Sequence, residues 1–192
     1  MTDKVASLIK QISDLEDELE AEFERRRAAL NFRIDHHRVV FEREIQKQHR
    51  ALKKKLMSYV AGARPMVILT APVIYAMIVP LMLLDVFVTM YQTICFPVYK
   101  IEKIQRGNFV TFDRKHLSYL NGLEKLNCMY CSYGNGVLAY AREIAASTEL
   151  YWCPIKHARR MQGLHRHYPE FAEYGDAEGY QRRVQAARNK CL

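Results

Sequence analysis

Met66-Val-Ile-Leu-Thr-Ala-Pro-Val-Ile-Tyr-Ala-Met-Ile-Val-Pro-Leu-Met-Leu-Leu84 runs for 19 residues without a charged side chain. At ~1.5 Å per residue, that length matches the ~30 Å hydrocarbon core of a bilayer. Apolar character resumes after Asp85, through Val86-Phe87-Val88, Tyr91, Ile94, Cys95-Phe96 and Val98-Tyr99. The 35 residues from 65 to 99 exceed what one crossing needs. A re-entrant hairpin, one transmembrane span and a buried soluble helix would each use them differently. Pro72 and Pro80 both allow a kink. Five Lys/Arg lie at 50–64 and five at 100–115, so flanking charge selects no single-span orientation. A tie of this kind is what a hairpin with both ends in the cytoplasm would show. Asp85 is the lone charge in the run. An intramembrane carboxylate is a functional-site candidate, and the competing reading is that Asp85 ends a span at the headgroups.

Working outward, charge is segregated along the chain. Residues 1–64 carry 14 Lys/Arg and 11 Asp/Glu, and residues 100–192 carry 15 and 9. The net charge is +8. A basic balance fits anionic headgroups or nucleic acid, and beside an apolar run lipid is the simpler partner. Arg50, Lys53, Lys54, Lys55 and Arg64 lie just before that run, where a polybasic segment meets anionic lipid. The alternative is a solvated helix face. The N-terminus lacks the apolar region and cleavage site of a signal peptide, and the expectation is a cytoplasmic N-terminal region.

There is no Gly or Pro from Met1 to Ala61. Val5, Leu8, Ile12, Leu15 and Leu19 follow a 3-4 pattern, continued at Phe23, Leu30, Ile34, Phe41, Ile45, Leu52 and Leu56. This predicts one long amphipathic helix, stopped by Gly62 and Pro65, with a stutter between Leu19 and Phe23. Such a stripe needs cover. A homo-oligomeric coiled coil through residues 1–60 supplies it, or a helix folded back on its own chain. His36 and His37 read as solvated or seam positions.

Past the apolar run, Val98–Ile104 and Phe109–Phe112 suggest a short β-hairpin turned at Gly107-Asn108. Asp113 is placed as N-cap of a helix to about Leu126, and the Gly/Asn-rich stretch 128–136 as a compact turn. Further helices are expected at 137–151, from Pro154 toward Leu164, and from an Asp176 cap to near Lys190. The fold class is mainly α. A long amphipathic helix covers 1–64, a membrane-inserted segment 65–99, and a small helical domain 100–192.

The strongest chemical pattern is Cys128-x2-Cys131…Cys153-x3-His157. Three sulfurs and an imidazole at this spacing suit tetrahedral zinc. An iron–sulfur centre and unliganded thiols are the alternatives, and His116, His165 or His167 could replace His157. The chain holds five cysteines, an odd number, which argues for reduced thiols over a disulfide framework. Other chemistry is poorly served. A c-type haem needs His where Ser132 stands, and a thioredoxin-like site wants a strand before its first cysteine. A Cys153/His157 nucleophile lacks an orienting group. There is no phosphate-binding Gly loop, and Glu143 and Glu149 are not spaced as a carboxylate pair. Arg159, Arg160, Arg166, Arg182 and Arg183 form no recognisable nucleic-acid motif, so nucleic acid is an unfavoured partner.

At Asn127-Cys-Met-Tyr-Cys131 and Tyr151-Trp-Cys-Pro-Ile-Lys-His157-Ala158 the chain resembles a family of small uncharacterised bacterial membrane proteins. The resemblance covers roughly Pro80 to Tyr180, including Phe96-Pro97 and Asp113-Arg114, and leaves the N-terminal helix outside. It implies a bacterial membrane protein and carries over no activity. The combined expectation is a non-enzymatic, metal-stapled oligomeric adaptor on the bacterial inner membrane, with cytoplasmic soluble regions and an unidentified protein partner. The alternative is a membrane-bound oxidoreductase with an iron–sulfur or thiol centre at the same cysteines.

Overall fold

In a computed structural model the chain is mainly helical, and the structure describes residues 3–28, 32–35, 38–41 and 43–190. It divides into two compact units. One comprises Met1–Ala61 with Asp113–Lys125, the other Gly62–Phe112 with Leu126–Leu192.

The first unit opens with α1, Asp3–Ala28. The expected single helix to Ala61 is not what forms. Strands β1 (Phe32–Asp35) and β2 (Arg38–Phe41) pair antiparallel, Phe32 opposite Phe41 and Ile34 opposite Val39. Sequence explains the break: Phe32, Ile34, Val39, Val40 and Phe41 are β-branched or aromatic, and such residues favour strands over helix. His36 and His37 lie outside the described residues. Helix α2 (Arg43–Ala51) follows, then an irregular stretch at Lys53–Lys55, then α3 (Leu56–Ala61). Three adjacent ammonium groups repel one another, and no acidic residue stands nearby in sequence to offset them.

The second unit is built on a long apolar helix in two parts, α4 (Pro65–Ala76) and α5 (Ile78–Tyr99). No hairpin forms. Met77 keeps helical dihedrals, φ −63° and ψ −12°, and hydrogen bonds continue across it from Met77 N to Ile74 O and from Leu81 N to Met77 O. The interruption is the work of Pro80, which offers no N–H to Ala76 O and crowds that carbonyl. Lys100 ends α5 in the left-handed region, φ 55°. Residues 100–112 then form an irregular strap, not the expected hairpin, with one 3-10 turn at Arg106–Asn108.

The strap runs back along α5. Ile104 meets Gln92, and Arg106 meets Asp85. The Gln92 carboxamide acts like a strand rung: Nε2 donates to Ile104 O at 3.2 Å, and Oε1 accepts from Ile104 N at 3.0 Å. It satisfies a backbone that has no neighbouring strand.

Helix α6, Gly122–Trp152, is 31 residues long. It begins with a capping box: Glu124 N–H donates to Asn121 Oδ1, and Asn121 N–H to Glu124 Oε2. Asp113 starts a 3-10 turn instead, Asp113–His116. The expected turn at 128–136 is helical. Its glycines serve packing. A Cβ on Gly136 would stand 2.6 Å from Phe109 O, and one on Gly134 would stand 3.2 Å from Leu81 Cδ1. α6 runs parallel to α4–α5: Tyr130 OH donates to Ile74 O, Tyr133 meets Asp85, Tyr91 meets Thr148, and Tyr99 packs on Tyr151 and Trp152. Phe96, Tyr140 and Ile144 form the core between them, with Ile101, Ile104 and Phe109 of the strap against it.

Cys153 closes α6, its N–H donating to Glu149 O at 2.8 Å. Pro154 stops the helix, and no helix forms toward Leu164. Instead Pro154–Lys156 bonds alongside Ala172. The final helix α7, Ala177–Lys190, is capped by Asp176, whose Oδ1 accepts from Gly179 N at 2.8 Å.

Candidate functional site

Asp85 sits on the packed face of α5 and is buried. Arg106 reaches it from the strap through two parallel bonds, Nε to Oδ1 at 3.0 Å and Nη2 to Oδ2 at 2.7 Å. Tyr133 of α6 donates its hydroxyl to the same Oδ2 at 3.0 Å. A bidentate guanidinium and a phenol offset much of the carboxylate's lost hydration, so an otherwise apolar helix tolerates it. The arrangement joins three segments at one carboxylate. Asp85 is thereby a docking point for the strap.

A second cluster lies at the far end of the same unit. The strap, α6, the 166–167 loop and α7 line an open pocket of about 430 Å³. Its wall has an apolar part, with Ile101, Ile104, Phe109 and Leu150, and a charged part, with Lys100, Lys103, Glu143, Arg166 and His167. Glu143 pairs with Arg166 at 2.5 Å, and His167 stands 3.9 Å away. Glu149, six residues along α6, meets His165 Nε2 at 3.0 Å. Burial first, and then the neighbouring Arg166 charge, hold the His167 imidazole below its ordinary value of 6.5. Among the described residues, no three His, Cys, Asp or Glu side chains are grouped to hold a metal ion.

The expected zinc donors are not brought together. Cys128 and Cys131 lie within α6, and Cys153 immediately follows its end. The 22-residue step from Cys131 to Cys153 follows the helix, so about 33 Å of rise separates them. Tetrahedral zinc needs its sulfurs at ~2.3 Å from one ion, so the set does not fit a metal within one chain. Its premise failed because the Gly/Asn stretch, read as a turn, is helix. His157 stacks on Tyr168, with ring centroids 6.2 Å apart, and the His157 backbone N–H donates to the Tyr168 hydroxyl. His116 belongs to the 3-10 turn after the strap, while His165 and His167 face the two glutamates. Burial and the Glu149 charge push the Cys153 thiol up, which disfavours a thiolate there.

Arg50, Lys53, Lys54, Lys55 and Arg64 are all exposed. Arg50 ends α2, the three lysines fill the irregular stretch, and Arg64 precedes Pro65 at the start of α4. Exposed Leu52, Leu56 and Met57 flank the lysines. Helix Pro65–Tyr99 is long and apolar enough to cross a membrane by length and composition, and none of its most apolar stretch is buried.

Sequence reasoning did not single out Arg106, Tyr133 or Gln92. A lone buried carboxylate demands a cation, but Lys100 and Lys103 precede Arg106 in sequence and no pattern chooses among them. At the end of α5, Tyr99, Tyr151 and Trp152 pack ring against ring, with the Arg188 guanidinium over Tyr151 and Trp152. No protein-family model matches the chain, and no curated protein or solved structure is significantly similar to it.

Proposed function

We propose that this chain is a membrane-anchored adaptor that binds a protein partner and catalyses no reaction of its own. The observation that carries this reading is the exposure of α4 and α5. Met66, Ile68, Leu69, Val73, Leu83, Phe87 and Ile94 are all exposed large apolar side chains. Uncovered apolar surface on this scale marks an interaction site. With exposed lysines at 53–55 just before it, a lipid bilayer is the matching cover. The apolar stripe of α1 serves self-assembly. The working location is the bacterial inner membrane, with the charged regions in the cytoplasm.

The metal staple is not carried forward, because its four donors are spread along and beyond one helix. The oxidoreductase alternative at the same cysteines meets the same separation. Membrane fractionation tests the adaptor's anchor. The full chain should pellet with membranes and resist extraction by alkaline carbonate. A protein that washes off as a soluble monomer would refute the anchor.

A further inference from the structure

Resting on the membrane anchor proposed above, we infer that α4–α5 lies along one face of the bilayer, embedded in a single leaflet, and does not cross. The occupant of its exposed face is membrane lipid.

The two sides of α5 differ in kind. Val79, Leu83, Val86, Phe87, Met90, Ile94 and Val98 are exposed and recur at helical spacing on one side. The other side holds Asp85, Gln92 and Phe96, covered by the strap and α6. The strap in turn exposes Glu102, Lys103, Gln105 and Asn108. Irregular backbone and charged side chains of this kind need water; hydrocarbon leaves their polar groups unpaired. So one layer of the unit faces lipid and the layer above it faces water.

Lengths agree. At ~1.5 Å per residue, helix Pro65–Tyr99 extends about 52 Å, far beyond the ~30 Å hydrocarbon core. A crossing could use only part of it. The part largely bare on all sides is Met66–Val73, eight residues, or about 12 Å. From Ile74 onward α6 lies against it through Asn127 and Tyr130. A crossing would therefore carry Asn127 and exposed Asn135 of α6 into hydrocarbon. A helix lying in the interface needs none of this: a short uncharged leg dips in, its Thr70 hydroxyl bonded to Met66 O, and the amphipathic leg rests on the surface.

Two measurements on the full chain in bacterial cells test it. Epitope tags at both termini should both survive protease in spheroplasts and both be removed in inverted membrane vesicles. A tag cut from outside would establish a crossing and overturn the inference. Met90→Asp with Ile94→Asp places two charges on the lipid face, beyond Asp85 in sequence. The variant should shift into the carbonate supernatant at least several-fold more than the unsubstituted chain. If it stays as firmly bound, a crossing by the earlier apolar residues holds the protein and the in-plane reading fails. If the unsubstituted chain itself washes off, the membrane anchor has failed; if it stays but one tag is external, the in-plane arrangement alone has failed.

Discussion

At the scale of single residues, the structure assigns the lone charge of the apolar run a partner. Asp85 keeps little exposed side chain, 12%, while Arg106 keeps 42%. Removing the cation strands a buried carboxylate; removing the anion strands a guanidinium that water still reaches. Arg106→Gln should therefore destabilise by about 1–3 kcal/mol, below the range for fully buried pairs because Arg106 is partly solvated. Asp85→Asn should cost less, and thermal melts of the two variants in detergent would show the order. Glycine 136 offers a sharper steric test. A methyl there would press on Phe109 O at 2.6 Å, whereas Gly107 has nothing within 4 Å. Gly136→Ala should cost about 1–3 kcal/mol in stability by overpacking, and Gly107→Ala should be close to neutral in the same melts. His167 adds a pH dependence. Its folded value lies below 6.5, so between the two values the unfolded chain binds more protons than the folded one. Stability should then decline as pH falls from about 6.5 through the folded value, and His167→Gln should flatten that part of a melting-temperature profile. Asp85 stood out in the sequence because charge is rare in such a run. Arg106 did not, because the contact depends on how an irregular strap threads back along the helix.

At the scale of elements, local periodicity was readable and its interruptions were not. The 3-4 pattern from Val5 to Leu19 does lie on one helix, and Asp176 does cap the last one. The same apolar spacing continues to Leu56 across Phe32–Phe41, where alternation and β-branching favour strands. Spacing every three or four residues and alternation overlap in short apolar stretches, so the pattern alone does not decide between them. Gly134, Asn135 and Gly136, within the stretch 128–136, depart in the opposite direction. Their composition suggests a turn, yet close approach of Phe109 and Leu81 requires small residues inside a helix. The Asn121-x-x-Glu124 capping box was the available signal that α6 begins before them. On α1, Val5, Leu8, Ile12, Leu15, Leu19 and Phe23 are all exposed. An isolated helix gains nothing from such a stripe, whereas pairing buries it. The full chain in detergent should thus be oligomeric by light scattering, and Leu8→Lys with Leu15→Lys should reduce it toward monomer. A monomeric unsubstituted chain at tens of micromolar would remove the coiled-coil role from α1.

At the scale of the whole molecule, the zinc expectation shows where a spacing argument stops. C-x2-C and C-x3-H each describe a local fit to a metal, and each is intact in sequence. Whether the halves meet depends on the 21 residues between Cys131 and Cys153, and these continue one helix. What holds the second unit together is visible without a metal. Phe96, Tyr140 and Ile144 are buried as one cluster, Gln92 pairs with the strap backbone, and Asp85 pairs with Arg106. None of these joints includes a cysteine. A zinc staple would instead make binding energy part of folding energy, so that removing the ion or any ligand would loosen the domain. The two architectures give opposite results. Addition of a strong zinc chelator should leave the melting temperature of the purified chain unchanged, and Cys128→Ser, Cys131→Ser and Cys153→Ser should each melt within a few degrees of the unsubstituted chain. Stoichiometric zinc on metal analysis, with a melting temperature that collapses on chelation, would contradict this. Because helix α6 keeps the two cysteine groups apart within one chain, such a result would require ligands from a second copy, and zinc loss would then also disperse the oligomer.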